Sequence, residues 1–150
     1  MTRESPFVRT GFTRLAFYWI PAVVWAVSIF VVSNIPAQEI QKAAETVDVV
    51  DSVPIPLDIA YHIVVFGVMG ALGYRVVSLY LRQARLSYLA ALAFAIGYGV
   101  TDELHQSFVS GRSSSAEDVG YDALGAAIGL AAVFAISVIF SRARRNLMKD

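Results

Sequence analysis

Seven side chains between positions 58 and 122 have types and spacings that suit chemistry: Asp58, His62, Glu103, Gln106, Arg112, Asp118 and Asp122. Carboxylates and imidazoles pass protons and ligate divalent metals. A guanidinium can hold a phosphate or carboxylate bidentately. Asp58 and His62 stand four residues apart, which places them on one face of a helix. At about 100° per residue, Gln106 falls roughly 40° from Asp102, and Glu103 roughly 60° beyond Gln106. Gly99 lies one turn below Glu103 and leaves space there for a pocket or a neighbouring helix. Asp118, Asp122, Gly125 and Gly129 form one stripe within about 60°. All seven are candidate ligand contacts, with Glu103, Asp118 and His62 the candidates for catalysis. Asp102, His105 and Glu117 read as facing water. Two positive groups cannot offset six nearby acids, so part of the cluster must be protonated or bind a cation. No G-x-S-x-G, Walker A or H-E-x-x-H pattern is present, and the absence of cysteine removes thiolate metal sites and cysteine nucleophiles.

The elements that must carry these residues are membrane spans. The chain is 57% hydrophobic and 16% charged, with a mean hydropathy of +0.59. That balance excludes disorder, a fibrous repeat and a nucleic-acid-binding tail. A bilayer core needs about 20 mostly apolar residues as a helix. Four segments qualify: Phe17 to Val32, Asp58 to Leu81, Leu86 to about Gln106, and Val119 to Phe140. The first is too long an apolar stretch for a signal-peptide core and is followed by no A-x-A-like site, so it reads as an uncleaved span. The third has uncharged residues only from Leu86 to Thr101, about 24 Å of helix against a core of about 30 Å. Continuing that helix through Asp102, Glu103, His105 and Gln106 places these residues at the membrane interface. The pair Gly125 and Gly129 permits close helix approach and turns the aspartates above it toward the bundle.

Basic residues set the orientation. Arg3, Arg9 and Arg14 precede the first span, Arg75, Arg82 and Arg85 lie near the second connection, and Arg142, Arg144, Arg145 and Lys149 end the chain. The other side has only Lys42 and Arg112. Both termini are therefore expected in the cytoplasm, with residues 1–14 a basic arm, 15–140 the transmembrane domain and 141–150 a basic tail. Ten acids crowd the outer side, where the polar cluster also falls. Ile40, Ala43, Ala44 and Val47 recur at helical spacing and predict a short amphipathic helix in the first outer loop. Pro54 and Pro56 predict an extended entry into the second span.

Tyr98-Gly99-x-x-x-Glu103-x-x-Gln106-x-Phe108, then Arg112, then Asp118-x-x-x-Asp122-x-x-Gly125-x-x-x-Gly129 resembles the VanZ-like family of bacterial membrane proteins. Asp58-x-x-x-His62 with Phe66 looks like that family's Asp-Lys-x-x-His motif, and Trp25 followed by Ser33-x-x-Pro36 also matches. The resemblance covers about residues 17 to 130. Ile59 stands where the family usually has Lys, Ser110 where Pro is common, and Asp122 where Asn is usual. The resemblance implies a multi-pass protein of the bacterial cytoplasmic membrane with an envelope role. The name-giving member confers low-level resistance to teicoplanin, a lipoglycopeptide.

The expectation is thus an all-α, integral membrane four-helix bundle with both termini inside and a polar cluster at the outer side. Its outer-leaflet site would bind or modify an envelope ligand, such as a lipid-linked precursor or a lipoglycopeptide, with membrane lipids as partners and no nucleic acid. A second reading is a metal-assisted hydrolase or transferase acting on a lipid headgroup or acyl linkage. His62, Glu103, Asp118 and Asp122 would offer the ligands for a divalent metal, although their spacing matches no metal signature. A third is a small proton-coupled transporter, which would need a homo-oligomer and lacks the internal repeats of transport folds. Whether the chain is an enzyme is open at this point.

Overall fold

The computed structural model describes residues 6–45 and 56–148, which form five helices and no strand. They are α1 (Pro6–Ser33), α2 (Ala37–Glu45), α3 (Leu57–Val77), α4 (Ala84–Gln106) and α5 (Ala116–Leu147). Arg3, Glu4, Val47, Asp48, Asp51, Pro54, Lys149 and Asp150, to which the sequence assigns parts in the arm, first loop and tail, lie outside the described residues. Four helices are long and apolar enough to cross a membrane: Gly11–Ser33, Leu57–Val77, Ala84–Gln106 and Ala116–Leu147. The protein is a multi-pass, all-helical membrane protein. The expected short surface helix is α2.

Two helices run longer than the apolar pattern predicts. α1 begins at Pro6, so part of the basic arm continues the first span as helix. α5 continues to Leu147, past Arg142, Arg144 and Arg145. Once a helix is nucleated, each further turn satisfies its own backbone bonds, and leaving the apolar zone does not stop it. Pro56 caps α3 from an extended conformation (φ −49°, ψ 136°), and its carbonyl accepts the first helical bond from Ala60. This is the predicted extended entry.

α3 and α5 pack along a seam of small residues. A Cβ added at Gly129 would collide with the backbone of Gly67, and one at Gly125 with the carbonyl of Ile63. One at Gly70 would sit 2.8 Å from the Ala126 carbonyl. The predicted Gly125/Gly129 pair therefore does bring two backbones together, against Ile63 and Gly67 of α3, with Gly70 meeting Ala126 beside it. Beside the seam, Phe66, Met69, Ile29, Val65, Ala95 and Ala126 form the buried core. α1 is the least buried span. Two polar aromatic tips fasten it: Trp25 Nε1 donates to the Val65 carbonyl at 3.0 Å, and Tyr98 Oη donates to the Ala26 carbonyl at 2.6 Å. Elsewhere, residues such as Val24, Val64, Leu89 and Ile139 point outward, as a hydrocarbon solvent requires.

Candidate functional site

At one end of the bundle the C-termini of α1 and α4 meet the N-termini of α3 and α5. The last turn of α4 is polar yet buried: Asp102, Glu103 and Gln106 are 5%, 2% and 3% exposed. Their burial follows from helix phase, since residues three and four apart share the face that packs inward. Buried polar groups of this kind persist only when they are bonded, and most of these atoms are.

One chain of hydrogen bonds runs across the end of α4. Ser33 Oγ donates to Asp102 Oδ1 at 2.6 Å, and Gln106 Nε2 donates to Asp102 Oδ2 at 2.9 Å. Arg112 Nη1 donates to Gln106 Oε1 at 2.9 Å, while Arg112 Nε donates to the Ile35 carbonyl at 3.3 Å. The order of donors and acceptors has one direction only. A carboxylate accepts and a guanidinium donates, so the Gln106 amide must turn its NH2 to Asp102 and its oxygen to Arg112. The chain ties the end of α1 to α4 and to the loop between α4 and α5. In that loop Gly111 takes a positive φ of 75°, and a Cβ there would fall 2.7 Å from the Gln38 side chain of α2.

A second group lies beside the first and is less saturated. His62 Nδ1 and Asp122 Oδ1 are 2.7 Å apart, with both side chains buried. Asp122 is fully buried because Gly99 leaves it a seat: a Cβ at Gly99 would lie 2.5 Å from Asp122 Oδ2. The space that the sequence places below Glu103 is thus filled by a side chain of the neighbouring helix. The Ser115 backbone N–H donates to Glu103 Oε2 at 2.9 Å. Ser115 Oγ accepts from the amides of Glu117 and Asp118 at 3.1 and 3.3 Å and caps α5. Among the described residues, Glu103 Oε1, Asp122 Oδ2 and, outside this group, His105 Nδ1 are buried without a hydrogen-bond partner. Ligand atoms of His62, Glu103 and Asp118 all lie within 4.8 Å of one another, so these three could hold a metal ion.

Six of the seven sequence-predicted residues fall into these two groups. The seventh, Asp58, is exposed one turn above His62. It lines a cavity of about 400 Å³ with Val32, Ile40, Leu57, Tyr61 and Arg112. Asp102, read as facing water, is instead a buried hub; its spacing to Gln106 was the available signal, since an acid and an amide four residues apart share a face. His105 is half-buried with its ring 4.7 Å from that of Phe30, away from the cluster, whereas Glu117 is exposed as expected. Ser33 and Ser115 were not singled out for these bonds: a lone serine such as Ser33 has no periodicity to mark it, whereas Ser115, with Glu117 and Asp118 following, carried a legible N-cap signal.

The family model described as VanZ/LLP1 matches residues 12–140. That interval contains all of the residues just described and almost all of each span, and the chain belongs to this family. No curated protein and no solved structure matches the chain.

Proposed function

We propose that this member of the VanZ/LLP1 family is a cell-envelope protein that binds an anionic, lipid-linked ligand at the polar end of its bundle. With both termini in the cytoplasm, that end lies at the outer leaflet of the bacterial cytoplasmic membrane. Occupancy there lowers susceptibility to lipoglycopeptides such as teicoplanin by altering access to their lipid-linked target.

One observation carries the reading. The cavity of about 400 Å³ pairs apolar walls, from Val32, Ile40 and Leu57, with Arg112, Tyr61 and Asp58. Apolar walls suit an acyl or isoprenoid stem, and a few placed polar groups suit its headgroup. Arg112 is fixed from behind by Gln106 and Ile35, but these bonds use only one Nη1 hydrogen and Nε–H. Among the described residues the remaining guanidinium hydrogens have no bonded partner, and they could meet a phosphate or carboxylate.

The test compares teicoplanin susceptibility in a sensitive host carrying empty vector, wild type, Arg112→Lys or Glu103→Gln at matched membrane expression. Protection by wild type and its loss in Arg112→Lys is the expected result. Protection that is equal in all three proteins removes the site assignment, and no protection by wild type removes the resistance role.

A further inference from the structure

We propose that His62, Glu103 and Asp118 form a binding site for one divalent transition-metal ion, with Asp122 orienting the histidine and Ser115 holding the Glu103 carboxylate and capping the helix that carries Asp118. The three ligands come from α3, α4 and α5, and their donor atoms already lie within 4.8 Å of one another. Bonds of about 2.0–2.2 Å to a common ion require only a modest inward adjustment of these side chains.

Three further observations point to an ion. Glu103 is almost wholly buried, yet its Oε1 has no partner while Oε2 is held by the Ser115 amide. A buried carboxylate oxygen left unbonded is costly and uncommon, and a metal is a partner that would satisfy it. His62 engages Asp122 through Nδ1, which leaves Nε2 as the nitrogen able to coordinate. A carboxylate on the far nitrogen of a ligating histidine fixes its tautomer and raises its basicity. Finally, the ion pairs among the described residues are Lys42–Glu39 and His62–Asp122, so no lysine or arginine neutralises Glu103 or Asp118. Arg112 bonds to Gln106 and the Ile35 carbonyl and makes no ion pair with either carboxylate among the described residues.

The geometry also narrows the ligand set. The sequence offers four ligands, including Asp122. Asp122 Oδ1 is occupied by His62 and Oδ2 is seated where a Cβ at Gly99 would lie, and Asp122 is not among the three residues whose ligand atoms converge, so it supports the first ligand instead of serving as a fourth. One imidazole and two carboxylates suit zinc or manganese. Three protein ligands leave a position for water or for an oxygen of a bound ligand, the arrangement of open rather than purely structural sites. The site does not rest on the envelope-ligand reading.

The experiment uses the full, untagged chain in detergent, stripped with chelator and titrated with Zn²⁺ or Mn²⁺ by calorimetry, with elemental analysis of the dialysed product. The expected result is one ion per chain and a rise in melting temperature on binding. His62→Gln and Asp118→Asn should lose at least tenfold in affinity while retaining helical circular dichroism. Asp122→Asn should bind with the same stoichiometry but 10- to 100-fold more weakly. Glu39→Gln, an exposed acid on α2, should match wild type. Wild type that takes up neither metal, or that binds no more tightly than Asp118→Asn, overturns the site. A protein that binds metal but gives no drug protection leaves the site standing and removes only the resistance role.

Discussion

The two ends of the bundle treat charge in opposite ways. At one, Asp102, Glu103, Gln106, His62 and Asp122 are buried and joined to one another or to nearby helix ends. At the other, Arg82, Arg85, Arg142, Arg144 and Arg145 stand exposed. Arg75 is half-buried there and lies over the Phe17 and Tyr18 rings at 5.1 and 5.3 Å, with Trp19 Nε1 bonded to Tyr80 Oη beside it. Charges that can reach the interface cost little and serve to anchor and orient. Charges enclosed between helices demand partners, and any oxygen left over is a place for a ligand. The contrast separates charges that stand exposed from charges enclosed between helices and bonded there.

The polar end should break most readily where side chain meets glycine. Gly99→Leu would drive Asp122 from its seat and leave His62 unpaired. A loss of about 1–3 kcal/mol from overpacking, with a further loss for the unpaired buried groups, should appear as a large drop in melting temperature in detergent. Wild-type stability in this variant would mean that Asp122 does not sit where the structure places it.

A subtler change tests the direction of the hydrogen-bond chain. Gln106→Glu sets an acceptor against the Asp102 carboxylate, which has no hydrogen to donate, while still accepting from Arg112; the cost should be about 1–3 kcal/mol. Adding Asp102→Asn supplies an NH2 to the new carboxylate, keeps an oxygen for the Ser33 hydroxyl and should recover much of it. Double-mutant analysis of thermal unfolding measures the recovery, and additive losses would refute the ordering.

At the basic end the effects should be smaller. Arg75→Gln removes a cation over two rings, worth about 0.5–1 kcal/mol at a partly wet site. Arg144→Gln should change stability by less than about 0.5 kcal/mol. Placement can be read directly, because the chain has no native cysteine. A membrane-impermeant maleimide added to intact cells, after permeabilisation of any outer membrane, should label Ser113→Cys and spare Arg144→Cys. The reverse pattern would invert the proposed orientation.

The sequence by itself determined the four spans, the surface helix after the first, the glycine stripe of α5 and the presence of a polar cluster at one end. Each is a local property: apolar length, or residues repeating at the helical period along one segment. Only the tertiary structure decided which atoms meet. Ser33 finds Asp102 across 69 residues, and His62 finds Asp122 across 60. Asp102 turns from a water-facing acid into a hub, and Asp122 is seated against Gly99 and bonded to His62. Periodicity tells which side of a helix is polar, but not the rotation at which that side faces its neighbours. That rotation is set by the close approach of Gly67 to Gly129 and of Gly99 to Asp122, contacts between residues far apart in the chain.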